Sequence, residues 1–138
     1  MKSVLGLAVV LCVAISPALA QHCSNASLRG TYTYAFEPYF AGGAGPAAAV
    51  IGTVSFDGKG NLHGMMTQNF GGGAVATSFQ GTYAVNADCT YASEFGGSTQ
   101  VGIVAQQGDR IHVLNADATG LILEFTAERE KKSSERCQ

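Results

Sequence analysis

Few groups in this chain of 138 residues could carry chemistry: three histidines, four cysteines, ten carboxylates and eight basic side chains. His22, His63 and His112 are far apart, and no His or Cys pair has the local spacing of a zinc site. His63 and His112 fall on separate predicted strands, on the face opposite the large apolar residues, and read as ordinary strand histidines. No Gly-x-Ser-x-Gly occurs, so no serine is marked as a nucleophile beside a positioned base. A carboxylate pair for glycoside hydrolysis would have to come from Glu37, Glu94, Asp109 or Glu124. Glu94 shares a face with Thr90 and Ala92, and Glu124 stands between Leu123 and Phe125, which are outward strand positions. Asp57-Gly58-Lys59-Gly60-Asn61 has too few carboxylates for a calcium loop, with Gln68 where a downstream glutamate belongs. It also lacks the Gly-Lys-Ser/Thr of a phosphate loop. Its glycines suit a tight hairpin instead. The residues therefore predict no catalytic group, no metal site and no cofactor.

The aromatic residues are more informative. Tyr32, Tyr34, Phe36, Phe56, Phe79, Tyr83 and Phe125 fall on the predicted inward faces of strands. One reading is that they fill a solid core, leaving the loops or outer face to meet another macromolecule. The other is that they line a cavity open at one end and gated by residues 41–49 and 69–73. Gly52, Gly64, Ala92 and Ala105 are placed on the same faces and would leave room there. Such a cavity would take a small apolar or amphipathic ligand, with tyrosine hydroxyls as polar anchors.

The elements that must position these residues are strands. Over residues 28–36, Leu28, Gly30, Tyr32, Tyr34 and Phe36 alternate with Arg29, Thr31, Thr33 and Ala35, the period-two pattern of a half-buried strand. Pro38 ends it. Further strands are predicted at 48–56, 61–69, 74–85, 89–95, 99–106, 110–115 and 118–128. Val75 joins Phe79, Tyr83 and Val85 on one face of the fourth strand. Val101, Ile103 and Ala105 share a face of the sixth, and Leu121, Leu123 and Phe125 face inward on the eighth. Glycine-rich or Asn/Asp turns join them, and no 3.6-residue period appears. Short turns place sequence neighbours side by side, so the fold class is all-β, an eight-stranded antiparallel up-and-down barrel. A two-sheet β-sandwich is the alternative.

Three segments follow. Lys2, the apolar run Val4–Ile15 and Ala18-Leu19-Ala20 predict a signal peptide over residues 1–20, cleaved after Ala20. The run is shorter than the roughly 20 residues of a membrane span. Gln21-His22 before Cys23 does not fit a lipidation site. Residues 21–128 form the barrel, and 129–138 form a charged, disordered tail. The exported chain is expected to be secreted or periplasmic, without a membrane span once the signal is cleaved. Its mildly acidic charge leaves no basic footprint for nucleic acid. Export removes Cys12 and leaves Cys23, Cys89 and Cys137 in an oxidising compartment. In a meander, odd-numbered strands begin at the same end, so Cys23 and Cys89 lie together if Ser24–Ser27 crosses beneath the barrel. A 23–137 bridge is also sterically possible. The 23–89 pair is favoured because Cys137 sits in the tail.

Cys-Ser-Asn-Ala-Ser-Leu-Arg-Gly-Thr-Tyr from Cys23, the stretch Gly52–Leu62 and Gly81-Thr-Tyr-Ala-Val-Asn-Ala-Asp-Cys-Thr90 span most of the exported chain. This pattern resembles a group of small exported bacterial proteins of unknown function. They share a cysteine before the first strand and Asp-Cys-Thr after the middle one. The resemblance implies a small β-barrel similar in shape to calycins and allene oxide cyclases, and it carries over no activity. A cyclase- or isomerase-like enzyme follows from that analogy of shape alone.

Overall fold

A computed structural model describes residues 22–40, 48–69, 71–116, 121–122 and 124–130. The predicted signal peptide, residues 41–47 of the predicted gate, Leu123 and Cys137 lie outside the described residues. The strands are β1 (Arg29–Phe36), β2 (Tyr39–Phe40), β3 (Ala49–Asp57), β4 (Asn61–Asn69), β5 (Ala74–Val85), β6 (Thr90–Phe95), β7 (Ser98–Ala105), β8 (Arg110–Asn115), β9 (Leu121–Ile122) and β10 (Glu124–Arg129). Eight of them close an antiparallel barrel in the order β1-β10-β8-β7-β6-β5-β4-β3. Among the described residues the short β2 and β9 pair only with each other. Leu121, expected on the inward face of the last strand, belongs to that ribbon, and the barrel strand starts at Glu124. Among the described residues no helix is long and apolar enough to cross a membrane.

Aromatic and aliphatic residues at alternate positions bury one face of most strands. Tyr32, Phe56, Leu62, Tyr83, Tyr91, Ile111 and Val113 meet in one core. On β7 the expected parity is reversed. Val101 and Ile103 are exposed on the outer face, and the inner face carries Gln100, Gly102 and Val104. The outward set, Val101, Ile103 and Ala105, is the more apolar of the two, so the alternation of β7 by itself points to the wrong face. The register decides, because Gly102 lies opposite Tyr91 and Val113, whose larger side chains go inside. Ala92, pairing with Val101, is likewise outward.

One end of the barrel is sealed by the chain's own N-terminal arm. Cys23 is bonded to Cys89 across a separation of 66 residues. The arm then makes a single 3₁₀ turn, Asn25–Ser27, under the barrel. Asn25 replaces missing ladder partners: its Oδ1 accepts from the Val85 amide at 2.7 Å, and its Nδ2 donates to the Lys59 carbonyl at 3.4 Å. The Tyr83 hydroxyl reaches the carbonyls of Asn25 and Leu28, each at 3.0 Å. Leu28, fully buried, plugs the hole.

Arg129 fastens the far side of this plug. Its guanidinium donates to the Ser27 and Gly108 carbonyls at 3.0 Å each and to the Tyr32 hydroxyl at 2.9 Å. Tyr32 in turn donates to the Gly108 carbonyl. Asp109 lies 3.3 Å from the guanidinium. A Cβ on Gly108 would fall 1.9 Å from the Ser27 carbonyl oxygen, so only glycine lets the turn approach the arm this closely. Placing Arg129 at the start of a solvated tail is thus corrected: it pairs with Tyr32 in the barrel ladder and ties three segments together. Residues 131–138 lie outside the described residues.

The loop closed by the disulfide is long, so its loss should act mainly on the unfolded chain. A Cys23→Ala/Cys89→Ala variant is expected to lose about 4 kcal/mol of unfolding free energy in denaturant titration while keeping its β-sheet circular dichroism. Equal midpoints with and without the bridge would show that packing alone holds the plug.

Candidate functional site

The seven aromatic residues singled out from the sequence all face the interior, but they divide into two layers. Tyr32, Phe56 and Tyr83 form a floor with Tyr91. The Tyr32 and Phe56 rings meet edge-on at 5.2 Å, and Phe56 and Tyr83 at 4.9 Å. All four residues are buried. Between this floor and the rings above it lies a void of about 20 Å³, enough for about one water molecule. The floor is solid.

Above it, Tyr34, Phe36 and Phe125 cluster on one wall, with Phe36 and Phe125 stacked at 5.0 Å. Phe79 and Phe95 pair on the other at 4.8 Å. The space between the walls is a cup of about 400 Å³, within the range of small-molecule sites. Phe95 was not among the expected lining residues, nor were Gln100, Met66 and Gln68.

Glycine and aromatic residues face each other across the sheet. Gly52 lies opposite Tyr34, Gly64 opposite Phe79, and Gly81 opposite Phe95. A Cβ on Gly52 would sit 2.6 Å from the Tyr34 hydroxyl oxygen, and one on Gly64 would sit 2.6 Å from the Phe79 ring. The expectation that these glycines leave room for a ligand is therefore corrected: they are occupied by rings laid across the sheet. Ala92 and Ala105 share the outer parity of Val101 and Ile103 and contribute no room either.

The cup also has a side opening. β5 pairs with β6 only through Gly81–Val85, and among the described residues Ala74–Gln80 pairs only with β4. This upper half of β5 runs past the end of β6, and Thr77 lines the cup there with Gly96 and Ser98, above the paired rings of Phe79 and Phe95. Val75, expected on the inward face, is 58% exposed at the rim. Gly71–Gly73 of the predicted gate form an exposed turn, and Ala48 is buried.

The polar groups of the cup are uncharged. Gln100 is only 3% exposed, as is Ser93, whose Oγ donates to Gln100 Oε1 at 3.4 Å. Tyr34 lines both the cup and the void beneath it, and burial pushes its hydroxyl up to about 12. Burial does the same to Tyr91. The carboxylates Glu37, Glu94, Asp109 and Glu124 are exposed and line no part of the cup. His63 faces outward between Ser55 and Gln80, and His112 Nδ1 lies 3.1 Å from Thr126 Oγ1 on the outer face. Among the described residues no three His, Cys, Asp or Glu side chains are grouped to hold a metal ion. Asp57 accepts from the Asn61 side chain and from the amides of Lys59, Gly60 and Asn61, and these bonds hold its carboxyl well below the usual range. That is the hairpin reading, with the carboxylate spent on its own turn.

Compared with protein-family models, curated proteins and solved structures, the chain finds no match.

Two outcomes follow from this packing. Gly64→Ala should cost roughly 1–3 kcal/mol in denaturant titration and shift the Phe79 ring resonances, because the methyl group would fall 2.1 Å from the Thr53 carbonyl oxygen and 2.6 Å from the Phe79 ring. In alkali, the unfolded chain ionises its tyrosines near 10.0, while Tyr34 and Tyr91 in the fold hold their protons to about 12. The unfolded state therefore binds fewer protons in this window, and stability should fall as pH rises from 10 to 12. Denaturant midpoints taken across that window should fall less steeply for Tyr34→Phe than for the parent.

Proposed function

We propose that the chain is exported, loses residues 1–20 and binds a small apolar or amphipathic molecule in the cup. The observation that carries this reading is the open space of about 400 Å³ between five aromatic rings, directly above a filled floor. A barrel meant only as a solid module has no need to leave its upper half open while packing its lower half to a water-sized void. The Cys23–Cys89 bridge supports a secreted or periplasmic location, where thiols are oxidised. The calycin-like shape suggested by the sequence pattern agrees with this use of a barrel mouth. The described lining holds no carboxylate, imidazole or thiol, which supports binding rather than turnover.

A second reading, an interaction module, draws on one observation. Val101, Ile103 and Leu114 are 41%, 58% and 49% exposed on the outer face of β7 and β8, with Val101 directly opposite Leu114.

The test uses a neutral fluorescent probe, phenylnaphthylamine. The exported chain should bind it saturably at one site with a blue-shifted emission. Thr77→Trp, which places an indole at the side opening, should abolish most of that signal. Equal binding by parent and variant would place the site elsewhere, and no binding by either would favour the interaction module.

A further inference from the structure

The chemistry of the cup narrows the class of ligand, and this step rests on the cup being the binding site. Gln100 is the informative residue. It occupies an inward position on the strand that also turns Ser98, Gly102 and Val104 inward. A primary carboxamide is costly to bury unless its donors and acceptor are used. Ser93 Oγ, directly opposite on β6, donates to Oε1 at 3.4 Å. The amide nitrogen has two donors and no hydrogen bond to the described protein, and Gln100 borders both the cup and the void beneath it. The carboxamide of a residue only 3% exposed thus stands where the cup meets the void beneath it, among uncharged lining groups that also include Gln68, Thr77, Ser78, Gln80 and Ser98. Tyr34 adds a second donor. Its ring is pinned across Gly52, and its hydroxyl makes no hydrogen bond to the described residues.

No charged side chain lines the cup among the described residues. A carboxylate or phosphate brought to this depth would lose its hydration and meet only neutral donors. An ammonium group would meet rings already turned onto one another, Phe36 on Phe125 and Phe79 on Phe95, with no carboxylate beside them.

We propose that the cup takes a neutral molecule with a flat or aromatic apolar body, which enters polar end first and places a carbonyl-type oxygen against the Gln100 amide and the Tyr34 hydroxyl. The apolar body then lies between the two aromatic walls, and the ligand's far end faces the side opening at Thr77.

Four probes sharing one phenylalkyl skeleton test this by calorimetry or fluorescence displacement: phenylpentanone, the isosteric phenylbutyrate, phenylpentylamine and pentylbenzene. The ketone should bind at least tenfold tighter than the carboxylate or the amine. Gln100→Leu should weaken the ketone roughly three- to tenfold and leave pentylbenzene unchanged or tighter. Tyr34→Phe should act the same way, and pentylbenzene binding reports that each variant still has its cup. If both variants lose no more ketone than pentylbenzene affinity, the polar anchor is wrong. If the carboxylate or amine binds as well as the ketone, the neutral class is wrong. If neither the ketone nor pentylbenzene binds the parent protein, the binding reading itself falls.

Discussion

Tyr34 lies across Gly52, Phe79 across Gly64 and Phe95 stands opposite Gly81. An eight-stranded barrel has an interior only just wide enough for side chains. Bulky residues at every inward position would overfill it, and small ones would leave it hollow throughout. Setting a ring on one strand against a glycine on the next lets the ring lie along the sheet instead of projecting to the axis. Two rings laid over glycines, Tyr34 over Gly52 and Phe79 over Gly64, keep the upper wall apolar and the centre open, while edge-on rings in the lower half meet and close it.

An open upper half removes packing that the barrel must recover elsewhere. The recovery is at the opposite end, where the N-terminal arm, the β7–β8 turn and the end of β10 converge. Leu28 supplies the apolar plug, and the Cys23–Cys89 bond ties the arm to one wall. Arg129 ties it to the other through carbonyls of Ser27 and Gly108. The guanidinium fork suits this task, because one planar group serves several acceptors fixed by three separate segments. Opening one end of the barrel and cross-linking the other are parts of one design.

Much of this was legible in the sequence, for physical reasons that can be named. Tyr32, Tyr34 and Phe36 alternate with small polar residues, so β1 announces its buried face. The antiparallel meander then forces Cys23 and Cys89 to one end. β7 was not legible in the same way, because Val101 and Ile103 compete with Val104 for the interior and only the neighbouring strands decide. Arg129 sits beside a run of charges that looks solvated, and its acceptors are backbone carbonyls that carry no sequence signature. Tyr91 and Phe95 did leave a signal, alternating with Glu94 and Ala92. Gln100 left none, since a buried carboxamide looks like any surface glutamine until its neighbours are placed.

The division of the interior into a filled floor and an open cup can be read directly from aromatic side-chain resonances during titration with phenylnaphthylamine. The ring signals of Phe36, Phe79 and Phe125 should move with saturating dependence on the probe, while those of Phe56 and Tyr83 stay in place. Shifts of equal size in both sets, or shifts confined to the floor residues, would contradict a sealed base and an open mouth.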